Sequence, residues 1–482
     1  MIYLFRIGCD NMKCLACGAE IEFSPKDKNL KCSYCGTVFD AKEYKEKITA
    51  AKEVTDKTNS EKIEIKSYSC KQCGAKLLTF DDTAITFCSY CGSSNVLESE
   101  LYKSEAPEYV IPFKISREDC ENIYKKEIKK HIFAPKEMMD DVVIKKFRGI
   151  YMPYCVYKAV HSGECVNHGD KYSHHSGNYD YYNVYNITAN INAEYEGMSY
   201  DLSSSFYDKF SQAIGPFDFK EAEKFNISYL SGFYADSRDV RKELYSNDAI
   251  EMIADDTSNE LMKYKQFRKY GCTDPKIPYT IQDEKIAYYP VYFLAIRNKK
   301  NDAVNYAVIN GQTGKIAVEL PIDIKKYLIF MLVLAIPIFV VFYSLFTITP
   351  QILLVLSAIL GVISSIIIIE QGHRLSDRYN HADDKGFNEA KQRFEEKGGK
   401  RKKKKIKYNI NIFSKLGCII SVFLPIITLI LNPISDSYYY VTGLISLCII
   451  LYLFKDIISQ HNDLTSKKLS QIGIRGGDES EI

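Results

Sequence analysis

The cysteines of this chain suggest a chemistry before any fold is considered. Cys14 and Cys17, then Cys32 and Cys35, form two Cys-x-x-Cys pairs; Cys70, Cys73, Cys88 and Cys91 repeat the arrangement with every cysteine displaced by 56 positions. Each pair is followed by a glycine (Gly18, Gly36, Gly74, Gly92), which lets the backbone turn sharply so that two thiolates face one way. Two such turns joined by a hairpin present four sulfurs in a tetrahedron, the shell Zn2+ takes in a closed, structural site. The expected ligands are Cys14, Cys17, Cys32 and Cys35 for one Zn2+, and Cys70, Cys73, Cys88 and Cys91 for a second. Redox chemistry is the rival use of Cys-x-x-Cys, but it needs a thioredoxin-like βαβ setting. The intervening "AEIEFSPKDKNLK" and "AKLLTFDDTAITF" read instead as strand, turn, strand. Four cysteines also leave no open position for catalysis, so the metals should hold the fold. In units this small they would supply on the order of 10 kcal/mol of folding free energy each.

Two further clusters are weaker. Cys165, His168, His174 and His175 lie close in sequence, but no second Cys-x-x-Cys accompanies them and "GDKYSHHSGNYDYY" reads as an exposed polar loop. No family signature marks a Cys-His nucleophile there. "NGQTGK" has the residues of a phosphate loop without its spacing: Ile316, not Ser or Thr, follows Lys315, and a turn is the simpler reading. No catalytic residue, cofactor-binding residue or small-molecule substrate is identified, and the chain is read as a non-enzyme.

A length of 482 residues implies several domains. The net charge of +2 and hydrophobic fraction of 46% exclude disordered and collagen-like classes. The 37 tyrosines beside no tryptophan are explained more simply by codon bias than by an aromatic binding surface. Of 15 cysteines, eight sit in close pairs, the usage of metal binding in a reducing compartment. "MIYLFRIGCDNMK" lacks the parts of a secretory signal, and residues before Met12 take no part in the repeat, which makes Met12 an alternative start to Met1.

The expected organisation is multidomain: zinc ribbon 1 over 12–40, a charged helical linker over 41–66, zinc ribbon 2 over 67–98, a cytosolic α+β domain over 105–322, a four-span membrane domain over 327–455 and a polar tail over 456–482. The charged linker would let the ribbons act as separate units. In the α+β domain, "EYVIPFKI" should lead into a helix at Ser116–Lys130, with another near Lys136–Lys146 and a helical stretch over Asp236–Tyr270. "GIYMPYCVYKAV", "YDYYNVYNITANINAEYEG" and "KIAYYPVYFLAI" should be strands, and "AVNYAVINGQTGKIAVELP" a hairpin.

"YLIFMLVLAIPIFVVFYSLFTI", "QILLVLSAILGVISSIIII", "FSKLGCIISVFLPIITLIL" and "SYYYVTGLISLCIILYLF" are each long and apolar enough to cross a bilayer. Residues 371–411, between the second and third, hold 13 Lys or Arg against 6 acids, whereas "TITPQ" and "NPISD" carry no Lys or Arg. Basic residues favour the cytoplasmic side. Both termini and the basic loop 371–411 are therefore expected on the cytoplasmic side, with Tyr327, Tyr343, Tyr438–Tyr440 and Tyr452 forming an aromatic belt. Lys400–Lys407 serves as a topology signal and could also attract anionic lipid.

Residues 12–98 contain 13 Lys, no Arg, and 13 Asp or Glu. Nucleic-acid modules need an electropositive face, so this neutral pair points to protein contact or structural support. The ribbons, with "YVIPFKIS", "GIYMPY", "YLSGFYAD", "YYPVYFLAI" and "NGQTGKIAVELP" ahead of apolar spans, resemble the bacterial TFIIB-type zinc-ribbon-containing membrane proteins (YdjG-like) over residues 12–350. That resemblance implies a membrane-anchored, non-catalytic component of envelope-stress assemblies with PspA-like or SPFH-type partners. The expected function is a scaffold or adaptor recruiting cytosolic proteins to the inner membrane. The alternatives are a membrane-tethered nucleic-acid-binding regulator and a membrane metalloenzyme acting through Cys165, His168, His174 and His175.

Overall fold

The computed structural model describes residues 12–44, 62–79, 87–93, 96–265, 269–271, 277–298, 303–345, 349–396 and 408–468. The chain opens with a small antiparallel sheet of β1 (Ile21–Ser24), β2 (Asn29–Cys32) and β3 (Val38–Phe39). Period-two alternation along β1 and β2 buries Ile21, Phe23, Leu30 and Cys32, and this face packs on the main domain rather than enclosing a core of its own. Of the second cysteine set, Cys70 ends β4 (Lys62–Cys70), Cys73 lies in the turn into β5 (Lys76–Thr79), and Cys88 and Cys91 lie in the turn at 88–92; β4 pairs with both β5 and β6 (Val96–Glu105). Residues 62–66, expected to end a helical linker, are instead strand, as the alternating "KIEIK" would suggest. Residues 45–61 of that linker lie outside the described residues.

β7 (Tyr109–Val110) leads to α1 (Arg117–Lys130). Its start follows from Ser116 and Asp119: the Ser116 hydroxyl accepts from the Asp119 N–H at 3.2 Å, and the Asp119 carboxylate accepts from the Ser116 N–H at 3.3 Å. Cys120, Tyr124 and Ile128, spaced by four, form its buried face. The helix expected near Lys136–Lys146 is broken into a 3-10 turn (Lys136–Met139) and the single-turn α2 (Asp141–Ile144). Asp140 restarts it, its carboxylate accepting from the Val142 N–H at 2.9 Å.

Next come β8 (Arg148–Ser176) and β9 (Tyr179–Asp201), a long antiparallel hairpin, then α3 (Asp208–Ile214), β10 (Glu223–Lys224) and β11 (Tyr234–Asp236). These are followed by α4 (Ser246–Met262), β12 (Thr280–Asn298), β13 (Ala303–Asn310) and β14 (Ile316–Val318). The helical stretch expected from Asp236 thus begins later, because Tyr234–Asp236 is claimed by the sheet. Among the described residues the main sheet runs β10-β7-β12-β8-β11-β5-β4-β6, with β9 on β8, and β13 on β12 and β14. Residues 150–157 are buried on both faces, which explains the continuous apolar run "IYMPYCVY". The "NGQTGK" segment is a turn: Asn310 Oδ1 accepts from the Gln312 and Thr313 N–H groups at 2.8 and 3.0 Å, so these donors are already engaged.

Among the described residues, four apolar helices long enough to cross a membrane follow: α5 (Ile324–Leu345), α6 (Pro350–Tyr379), α8 (Ile412–Leu431) and α9 (Asp436–Leu464), with the amphipathic α7 (Lys385–Glu396) between α6 and α8. α6, α8 and α9 pack together and bury small residues, among them Ser357, Gly361 and Ser364 of α6, Gly417 and Ser421 of α8, and Gly443 and Ser446 of α9; Gly361 lies against Ser421 of α8, Gly417 against Leu453 of α9 and Gly443 against Leu353 of α6. The described residues of the basic loop expected over 371–411 are largely helical. Residues 371–379 continue α6, 385–396 form α7, and 397–407, including Lys400–Lys407, lie outside the described residues.

The polar ends of these helices are fastened to the sheet. Arg378 pairs with Glu319, each side chain only 9% exposed. The Lys385 N–H donates to Asp208 Oδ2 at 2.8 Å, and Arg241 pairs with Glu389 of α7. Asn462 exchanges two hydrogen bonds with the backbone of Ile322, at 2.7 and 3.0 Å, and β15 (Lys467–Lys468) pairs with β13. The segments after the second and fourth apolar helices therefore meet the domain that precedes the first.

Candidate metal centres

All four Cys-x-x-Cys-Gly turns share one geometry. The glycine N–H donates to the carbonyl of the first cysteine, at 2.8 Å for Gly18, 3.1 Å for Gly36, 2.8 Å for Gly74 and 2.9 Å for Gly92. The four glycines take φ of 76°, 72°, 72° and 69°, a left-handed conformation that costs other residues strain. The sequence specifies these turns because the thiolates of each pair can converge only if the chain reverses there.

The thiols of Cys14, Cys17, Cys32 and Cys35 converge, all within 4.8 Å of one another, and so do those of Cys70, Cys73, Cys88 and Cys91. The Sγ–Sγ separations are 3.5 Å for Cys14–Cys35, 3.6 Å for Cys17–Cys32, 3.6 Å for Cys70–Cys91 and 3.6 Å for Cys73–Cys88. A tetrahedron with metal–sulfur bonds of about 2.3 Å has edges of about 3.8 Å, so both clusters fit a metal ion held by four thiolates.

Their surroundings differ. In the first cluster Cys14 and Cys32 are buried while Cys17 and Cys35 are exposed. In the second all four are buried, within the core that contains Tyr90, Met152, Phe206 and Phe293. A polar network supports this second cluster. The Tyr90 hydroxyl donates to Asp236 Oδ2 at 2.7 Å, the Ser203 hydroxyl donates to the same oxygen, and the Ser237 N–H donates to Oδ1 at 2.8 Å. Burial pushes the Asp236 carboxyl up to about 7, against the pull of the Ser203 and Tyr90 hydrogen bonds. Burial, with the Asp236 carboxyl beside it, holds the Tyr90 hydroxyl well above its usual range.

Both clusters dock on one short stretch, "YLSGFYAD" (229–236). Tyr229 packs edge-on against Phe23 at 5.3 Å, the Phe23 N–H donates to the Ser231 carbonyl at 3.2 Å, and the Ser231 hydroxyl donates to the Ile21 carbonyl. At the other end β11 pairs with β5, Ala235 opposite Leu78 and Asp236 opposite Leu77. Residue types alone did not reveal Asp236, Tyr90 and Ser203 as a supporting set. The available signal was a lone acid closing an otherwise apolar and small-residue stretch.

Cys165, His168, His174 and His175 are not brought together. They lie along β8, where Cys165 packs into an apolar cluster with Ile191 and Ile253. His168 Nδ1 is 2.7 Å from Asn186 Oδ1, His174 stacks on Tyr181, and His175 pairs with Asp180 at 2.7 Å. The expected polar loop is the exposed end of the β8–β9 hairpin, its strands pairing up to Ser176 and Tyr179.

Two four-cysteine clusters that could hold metal, a sheet-containing domain and, among the described residues, four helices that could span a membrane define the class of this chain. Among curated proteins it is similar to the uncharacterized protein YdjG of Bacillus subtilis (strain 168), at 27% identity over 320 residues, 65% of this chain and 91% of that one. No family model matches the chain, and no solved structure matches it.

Proposed function

We propose that the chain is a membrane-anchored zinc-ribbon scaffold that gathers cytosolic protein partners at a bacterial inner membrane, with no chemistry of its own. The two clusters would hold structural Zn2+, since four thiolates suit that ion and fill its shell. The observation that carries the reading is the division of labour around the sheet. Both clusters and the polar ends of the apolar helices are fixed to it, while the β8–β9 hairpin presents a row of uncovered rings. Tyr172, Tyr179, Tyr181 and Tyr182 are 48–73% exposed there, beside Val184 at 75%. Tyrosines are enriched where proteins meet. The neutral charge of residues 12–98 argues against nucleic acid as the partner.

The test is in-membrane cross-linking of the full chain followed by nuclease treatment and protein identification. A reproducible set of proteins should survive the nuclease and be reduced at least about fivefold by Tyr179→Ser with Tyr182→Ser. Loss of the set on nuclease treatment would favour the nucleic-acid regulator instead.

A further inference from the structure

A cavity of about 850 Å³ opens where the sheet domain meets the polar ends of the apolar helices. Its walls come from the end of α1 and the loop after it, from α3, from β14 and the chain running into α5, and from the last turns of α6 and α9. The lining is mainly apolar, with Phe133, Phe210, Val318, Leu320 and Leu464 among its walls. Its ionisable side chains are Lys130, His131, Lys209, Arg378 and His461 against a single carboxylate, Glu319. That carboxylate is already engaged: it pairs with Arg378 and accepts from the Tyr306 N–H at 3.0 Å. Arg378 is nine-tenths buried, and its Nε has no acceptor among the described residues.

An apolar chamber whose walls carry more cations than carboxylates, with Lys130 and His131 sharing Glu127 at 2.6 and 3.4 Å outside it, is matched by an anion that carries an apolar body. Small-molecule pockets have this volume and composition, mainly apolar walls with a few placed polar groups. Arginine and lysine are the side chains that bind phosphate oxygens most strongly. The position fits a ligand that reaches the site from a bilayer. Phe133 packs edge-on against Tyr327 and Phe330 in the first turns of α5, so the cavity borders the start of an apolar helix. Arg378 lies nine residues beyond Ile369, where the apolar run of α6 ends, or about 13 Å along the helix. For a helix along the bilayer normal this lies beyond the hydrocarbon edge and about 7 Å to the aqueous side of the headgroup layer, itself about 6 Å deep.

We propose that this cavity binds an amphipathic phosphate, with Arg378, Lys130 and Lys209 holding the head and the apolar walls holding the chain. The ligand is either a phospholipid of the bilayer or a single-chain phosphate from solution. The site is separate from the Lys400–Lys407 run.

Native mass spectrometry of the full-length protein in neutral detergent tests this with four probes: dioleoylphosphatidylglycerol, dodecyl phosphate, dioleoylphosphatidylcholine and inorganic phosphate. The expected result is one-to-one binding of phosphatidylglycerol, dodecyl phosphate or both. Retention of phosphatidylglycerol assigns the bilayer as a source, and retention of dodecyl phosphate alone assigns a soluble one. Lys130→Ala with Lys209→Ala should weaken binding at least tenfold, and so should Ala213→Trp, which fills the space without altering charge. The exposed control pair Lys145→Ala with Lys146→Ala should not. Zinc content and unfolding temperature of each variant report that it is folded. Absence of one-to-one binding, equal binding of phosphatidylcholine or inorganic phosphate, or unchanged binding in the Lys130/Lys209 and Ala213 variants would overturn the assignment.

Discussion

Replacing Cys88 and Cys91 by serine should be far more damaging than replacing Cys14 and Cys17, although each pair supplies half of a four-sulfur cluster. Cys88 and Cys91 lie in the core of the main sheet, so their loss removes a metal and leaves polar hydroxyls among Tyr90, Phe206 and Phe293. The expected cost is on the order of 4–5 kcal/mol, a fall in Tm of about 10 °C or more. The Cys14/Cys17 variant should also lose one zinc, with a smaller fall in Tm, because that cluster is half exposed at the margin of the fold. Thermal unfolding of the detergent-solubilised chain distinguishes the two.

Asp236 supplies a second residue-scale test. Its folded pKa of about 7 lies above the unfolded value of about 3.9. The folded protein therefore favours the protonated acid, and its contribution to stability is full below about pH 4 and is lost as pH rises through about 7. Asp236→Asn removes this dependence. Between pH 5 and 7 its stability relative to the unsubstituted chain should rise by about 2 kcal/mol. A pH-independent difference would contradict this assignment.

At the scale of elements, the packing of α6 against α8 rests on the absence of a side chain at Gly361. A Cβ there would meet the Ser421 carbonyl oxygen at 2.8 Å, so Gly361→Val should force the helices apart at a cost of about 1–3 kcal/mol. A lowered Tm in detergent, with zinc content unchanged, is the expected result. Much of this level was legible in the sequence. The Cys-x-x-Cys-Gly spacing marked all four cysteine turns, the helix expected at Ser116–Lys130 is α1, and long apolar runs marked the four apolar helices.

What was not legible depended on tertiary pairing. Nothing local to "SCKQCGAKLLTF" shows that its strand joins β11 and so becomes part of the main sheet. "YAD" is too short to have a period of its own, and the hairpin tip, being exposed on both faces, has no buried side to give it an alternating pattern. α7 was hidden for a different reason: a basic segment between two spans is explained by topology alone, and its contacts with Asp208 and Arg241 are distant in sequence.

For the whole molecule, the contacts of Arg378, α7 and Asn462 with the sheet domain require the ends of the second and fourth apolar helices to lie on the side where the sheet lies. The basic residues of 371–411 argue independently for the cytoplasmic side. A reporter active only outside should therefore be silent when fused at Gly399 or Ile482 and active near Pro350 or Ser435. Activity at Gly399 would contradict the charge bias, and activity at only one of Gly399 and Ile482 would contradict the packing.

That both clusters are closed, structural zinc sites is tested most directly by X-ray absorption and metal quantification on the purified full-length protein. Two zinc ions per chain are expected, each with four sulfur neighbours at about 2.3 Å. Cys14→Ser with Cys17→Ser should leave one. A count near one in the unsubstituted chain, a nitrogen or oxygen neighbour in either shell, or a third zinc lost with His174→Ala would contradict it.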